Sequence, residues 1–142
     1  MTDNSSMNTL MLLFMMASAQ NNLPQGLLSS LCYIESGHNV KAFHRHDGKG
    51  NSVGICQIKL ATAKMLGFKG TEKQLMEPQN NIEYAAKYLA KQIERYHNIN
   101  RGVIAYNMGN AKNLTTSQYQ VKVFKHWKGK NVQGKRRYVC SN

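Results

Sequence analysis

The sequence predicts a mainly α fold, a helical bundle around a central helix that carries a glutamate, with at most a small hairpin. Two observations lead there. Apolar residues recur at helical spacing along most of the chain, and the one long stretch without that period, residues 37 to 56, holds four glycines and three histidines. With 142 residues there is room for one domain with a sizeable core.

Leu10 to Met16 is an unbroken apolar run followed by Ala17-Ser18-Ala19. Residues 1–21 therefore read either as a signal peptide or as a first apolar helix: the A-x-A pattern favours the former, the absence of Lys or Arg before the run opposes it. The run is too short to span a bilayer. A helix over Leu23 to Ser36 opens with Asn22 as cap and Pro24 in the first turn. Leu28, Cys32 and Glu35 fall at i, i+4 and i+7, beside a second row of Leu27, Leu31 and Ile34. Glu35 thus lies on or beside an apolar face at the end of its helix, and Gly37 is a natural stop. Residues 37 to 56 read as a loop or short hairpin. Helices follow over Ile58 to Leu66, Asn81 to about His97, Arg101 to Met108 and about Thr116 to Trp127. The second of these strings Ile82, Ala85, Ala86, Leu89, Ile93 and Tyr96 along its buried side, and the last stacks Tyr119, Val123 and Trp127.

Nineteen Lys and Arg against seven Asp and Glu give a net charge of +12. Every acidic residue lies at or before Glu94, and the chain runs on to a basic tail, residues 128–142, containing Lys135-Arg136-Arg137. Such a field favours polyanions. It fits a solvated tail, adhesion to an anionic envelope surface, or nucleic-acid binding, the last suggested by Tyr119, Trp127 and Tyr138 interleaved with the charge. No zinc-finger or RNP-type signature accompanies these residues, so no nucleic acid is expected as partner. Cys32, Cys56 and Cys140 allow at most one bridge within the chain, and reduced buried thiols fit equally well. His38, His44 and His46 with Asp47 match no zinc pattern and read as a titrating surface loop. No phosphate loop, Ser-His-Asp order or dinucleotide fingerprint is present, so no metal or other cofactor is expected.

A carboxylate on an apolar helical face is costly to ionise, so its pKa rises toward neutrality. That is what a general acid needs. One such Glu proves nothing alone, but its company is specific. Glu35-Ser36-Gly37, then Gly54-Ile55-Cys56-Gln57-Ile58 with Ala61-Thr62-Ala63, then Ala105-Tyr106-Asn107 with Gly109 occur in order, with Asn81-Ile82 and Tyr88-Leu89 between them. Over residues 22–127 the chain resembles the catalytic domain of the soluble lytic transglycosylases, whose fold is similar to that of goose-type lysozyme.

The resemblance implies an α+β lysozyme-like domain acting on the glycan strands of peptidoglycan, in the cell envelope, periplasm or outside the cell, as a monomer. It implies cleavage of the β-1,4 bond between N-acetylmuramic acid and N-acetylglucosamine, leaving 1,6-anhydro ends. Glu35 would be the acid/base and Tyr106 the hydroxyl that orients it. Ser36 would support the opening turn, Gln57 would bind sugar, Asn107 would hold the Tyr106 turn, and Ser52 would be a further substrate contact. Gly54 would let the backbone approach the glycan closely. The sequence departs from the family at Cys56, where Met is common, in a long basic loop from His38 to Ser52, and at Thr115-Thr116-Ser117, where some members carry an acid. Asp47 is the residue that could make the enzyme a hydrolytic muramidase instead, by serving as a second carboxylate.

Overall fold

The computed structural model describes residues 4–130, and the basic end with Lys135, Arg136, Arg137, Tyr138 and Cys140 lies outside the described residues. The described residues form seven helices and a three-stranded antiparallel sheet, ordered α1 (Asn4–Gln20), α2 (Leu27–Ser36), β1 (Phe43–Arg45), β2 (Asn51–Val53), β3 (Ile58–Lys59), α3 (Leu60–Met65), α4 (Glu72–Leu75), α5 (Pro78–Tyr96), α6 (Ile99–Met108) and α7 (Gln118–Lys130). The mainly α expectation holds, with one strand more than a hairpin.

The apolar N-terminal run is a helix packed on the domain. Phe14 and Ala17 of α1 enter the same core as Leu27, Leu28 and Leu31 of α2, Ile82, Ala85, Ala86 and Leu89 of α5, and Val123, Phe124 and Trp127 of α7. The other face of α1 leaves Met7, Leu12, Met15 and Met16 more than half exposed. Among the described residues no helix is long and apolar enough to cross a membrane.

Helix α2 begins at Leu27, four residues later than its apolar pattern, because Gly26 takes a left-handed conformation just before it. Its buried residues run from Leu27 through Cys32. Gly37 closes it, left-handed at φ 64°, with its N–H on Tyr33 O. Glu35 therefore emerges in the last turn, where the helix leaves the core.

The irregular segment is a hairpin. β1 pairs with β2 so that His44 faces Ser52, and β2 pairs with β3 so that Val53 faces Ile58. Asp47-Gly48 sits in the turn with Gly48 left-handed. Ile58 and Lys59, expected to open a helix, extend along β2 instead, and α3 starts two residues later than expected, at Leu60. One short helix, α4, is unexpected, and α5, α6 and α7 start at Pro78, Ile99 and Gln118 where the sequence reading has Asn81, Arg101 and about Thr116. Thr71 and Gln74 close a reciprocal capping box around the four-residue α4, and α5 starts at Pro78, where a missing N–H costs nothing.

Cys32 and Cys56 form a disulfide between the last two turns of α2 and the segment leading into β3. Closing a loop of this length destabilises the unfolded chain by about 3.5 kcal/mol in the chain-entropy account. The bridge starts three residues before Glu35 and ends one residue before Gln57, so it ties two cleft residues to each other.

Candidate active site

Glu35 opens into a cleft of about 610 Å³, within the usual size range of small-ligand sites. The sheet with its connecting turns and the start of α3 contribute His44, His46, Ser52, Gln57, Lys59 and Thr62 to its lining, and α5 and α6 with the turn beyond contribute Tyr88, Tyr106, Asn107, Met108 and Gly109. Of the residues named from sequence, the structure brings Glu35, Ser52, Gln57, Tyr106 and Asn107 together around this space.

Burial drives the chemistry of Glu35. Loss of water around the carboxyl lifts its pKa from the usual 4.5 to about 7, and a hydrogen bond from Tyr119 pulls only partly in the opposite direction. The Tyr119 hydroxyl donates to Glu35 Oε2 at 2.6 Å. Burial and the neighbouring Glu35 charge hold the Tyr119 phenol well above its ordinary range, so it remains a donor throughout the physiological range. The other carboxyl oxygen has no hydrogen-bond partner among the described residues and can face a substrate.

This corrects the assignment of Tyr106. Its hydroxyl donates to the Cys56 backbone oxygen at 2.7 Å, not to Glu35. The ring packs 5.1 Å from that of Tyr88, and burial raises its pKa well above the usual value. Tyr106 therefore fastens α6 to the segment that carries Gln57. The residue that orients Glu35 is Tyr119, read from sequence only as one member of an apolar row on the last helix. Its place three residues after Thr116 in that row was visible, but the bond spans 84 positions, and nothing local marks it.

Neither Ser36 nor Gly54 lines the cleft; Ser36 supports the turn as expected, and Gly54 differs from expectation. The Ser36 hydroxyl donates to Ile55 O at 2.6 Å and accepts from Asn39 N–H at 3.1 Å, holding the chain as it leaves α2. Gly54 is left-handed at φ 82°, and the room its missing Cβ leaves is filled by a side chain, not a sugar: a Cβ there would fall 2.3 Å from Asn81 Nδ2. Asn81, wholly buried on α5, accepts from Cys56 N–H at 2.8 Å and donates to Val53 O and Leu75 O at 2.8 Å each. It is the hub of the cleft floor. Above it Gln57 is left-handed, and its side-chain amide turns back to donate to Gly54 O at 3.0 Å.

Asp47 is exposed in the hairpin turn and does not line the cleft. Glu35 is the one acidic residue among the described residues that do. The interleaved aromatics proposed for nucleic acid are likewise committed elsewhere. Trp127 is buried with its indole N–H donated to Gln25 O at 2.8 Å, and Tyr119 serves Glu35. Tyr138 lies outside the described residues.

The Tyr119 bond makes a prediction with a definite sign. Removing it in Tyr119→Phe removes the one influence that lowers the Glu35 pKa, so that pKa rises further above 7. If protonated Glu35 is the reactive form, the alkaline limb of kcat/KM moves to higher pH, while looser placement of the carboxyl lowers the plateau by roughly tenfold. An alkaline limb that stays put or moves down would contradict this.

Comparison with known proteins agrees with this arrangement. The model of the transglycosylase SLT domain family matches residues 12–127. A transglycosylase of Enterobacteria phage PRD1 is 34% identical over 113 residues, 78% of this chain and 40% of that protein. Protein IpgF of Shigella flexneri is 30% identical over 95 residues, 66% of this chain and 62% of that protein. The chain thus spans less than two thirds of the length of either relative. No solved structure matches significantly. A family match over most of the chain, with the mainly α fold and the buried glutamate in its cleft, places this protein in the SLT transglycosylase family.

Proposed function

We propose that the protein is a peptidoglycan lytic transglycosylase that cleaves the β-1,4 bond between N-acetylmuramic acid and N-acetylglucosamine and leaves 1,6-anhydro ends. The observation that carries this reading is the single buried carboxyl of Glu35, titrating near 7 in a cleft that no other acidic described residue lines. A group of that pKa is divided between its two protonation states at neutral pH, so it can give a proton and take one back.

In this scheme Glu35 protonates the glycosidic oxygen as the bond breaks. The substrate's own acetamido oxygen stabilises the oxocarbenium-like centre. The Glu35 carboxylate then accepts the proton of the C6 hydroxyl as that oxygen closes on C1. Neither a second carboxylate nor an activated water takes part, unlike the two-carboxylate glycosidase template. Tyr119 is the positioning residue for Glu35, and Ser52, Gln57 and Asn107 are the polar groups offered to the sugars. The exposed place of Asp47 weighs against the hydrolytic alternative.

A disulfide between Cys32 and Cys56 suits an oxidising compartment, in keeping with action in the cell envelope, periplasm or outside the cell. The test is digestion of purified peptidoglycan followed by product masses. Muropeptides lighter by one water than the reducing-end form are expected. Products that all carry that water would overturn the transglycosylase scheme in favour of hydrolysis.

A further inference from the structure

The basic loop that sets this sequence apart is built into the cleft. His44, His46 and Lys49 from the hairpin and Lys59 from β3 all line it, and the acid they share it with is Glu35. His46 is fixed there by a 2.9 Å hydrogen bond between its Nε2 and Ser52 Oγ, with the His44 ring 5.4 Å away. Asp47, in the same turn, points its charge to solvent and not into the lining. Glu72, the carboxylate hydrogen-bonded to the hairpin, is engaged by the Asn51 amide at 3.3 Å. Among the described residues no carboxylate pairs with Lys49 or Lys59.

These cations are not there for Glu35. A lysine placed to act on that carboxyl would hold its pKa down, whereas burial and the Tyr119 bond account for its position. Lys49 and Lys59 line the ligand space with no carboxylate partner among the described residues. The neutral part of a glycan strand offers hydroxyls and acetamides, which do not call for ammonium groups. The muramyl unit differs in carrying a carboxylate on its lactyl arm, or a peptide with carboxylates beyond it.

We infer that His44, His46, Lys49 and Lys59 form a carboxylate-recognising wall that selects glycan strands whose muramyl units bear acidic substituents over neutral strands of N-acetylglucosamine. This rests on the glycan-cleavage reading above and adds to it the substrate feature that sets specificity. The two lysines supply charge-assisted hydrogen bonds, and the paired imidazoles supply donors beside them.

The experiment measures binding in a Glu35→Gln background, so that chemistry does not intrude, with and without Lys49→Ala and Lys59→Ala together. Three soluble probes are used: peptide-bearing strands, strands stripped by an amidase that keep the lactyl carboxylate, and the neutral hexamer of N-acetylglucosamine. The lysine pair is expected to weaken binding of peptide-bearing strands about tenfold, to leave the neutral hexamer within twofold, and to be rescued by Lys49→Arg with Lys59→Arg. The same loss on stripped strands assigns the contact to the lactyl group, and its disappearance there assigns it to the peptide. Lys73→Ala, which removes an exposed charge away from the cleft, controls for net charge and is expected to change nothing; unchanged melting temperatures establish that the variants fold. A change under twofold on both acidic strands, or an equal loss on the neutral hexamer, overturns the wall. If instead the unsubstituted protein leaves peptidoglycan uncut, the glycan-cleavage reading fails on its own account.

Discussion

Glu35→Gln is expected to lose wall-cleaving activity by on the order of 10³-fold while gaining stability at alkaline pH. The two effects have one origin. Gln keeps the shape of Glu and an oxygen to accept the Tyr119 hydroxyl, but it has no proton to give. In the native protein the folded carboxyl titrates near 7 and the unfolded one near 4.5, so between these values the folded state binds more protons than the unfolded. Stability then falls as pH rises through that window, by on the order of 3 kcal/mol once pH exceeds 7. The Gln variant is free of this loss. Denaturant unfolding at pH 8 should show it the more stable protein, and at pH 4 the difference should close. Equal stability at both values would mean that Glu35 is solvated and titrates as an ordinary carboxyl, and retained activity would remove it from catalysis altogether.

The second large effect is structural. Asn81→Ala removes the only side chain among the described residues that reaches Cys56 N–H, Val53 O and Leu75 O. Each buried backbone group left without a partner costs about 1–3 kcal/mol. A loss of roughly 3–9 kcal/mol is therefore expected, against a total of about 5–15 for a typical domain. Urea unfolding should show the midpoint falling with the slope unchanged. The cost also reaches the site, because the segment that Asn81 holds carries Gln57 and the Cys56 oxygen on which Tyr106 rests. A change below 1 kcal/mol would mean that water replaces all three bonds.

Glu35 was legible because its neighbours in sequence place it: helical spacing sets it beside an apolar row, and Gly37 ends the helix just after. The Glu-Ser, Gly-x-x-Gln and Ala-Tyr-Asn stretches named the family for the same reason, each being contiguous. What failed to show was reach across the chain. Tyr106 and Tyr119 are both helical tyrosines with apolar neighbours, and periodicity says which face each occupies but not where a hydroxyl six bonds from the backbone ends up. Gly54 was correctly singled out as a residue that must lack a Cβ, but the tenant of that space, Asn81, lies 27 positions on. The strand at Ile58 and Lys59 was hidden because two residues show no period, and their pairing is set by Val53 and Ser52 on β2. The Thr71 to Gln74 box, by contrast, was present as a local pattern and could have been read.

The bond between Tyr119 and Glu35 has a meaning for the chain while it is being made. An unburied Glu35 is an ordinary carboxyl, ionised at neutral pH and useless as an acid. Burial raises its proton affinity, and α7, with Tyr119 84 residues downstream and Trp127 pinned to Gln25 behind it, brings the hydroxyl that holds the carboxyl in place. A ribosome-bound chain that has not yet delivered that helix carries every cleft residue up to Gly109 and still lacks the hydroxyl that positions the acid. The placing of Glu35 is thus completed only by the last helix of the described residues.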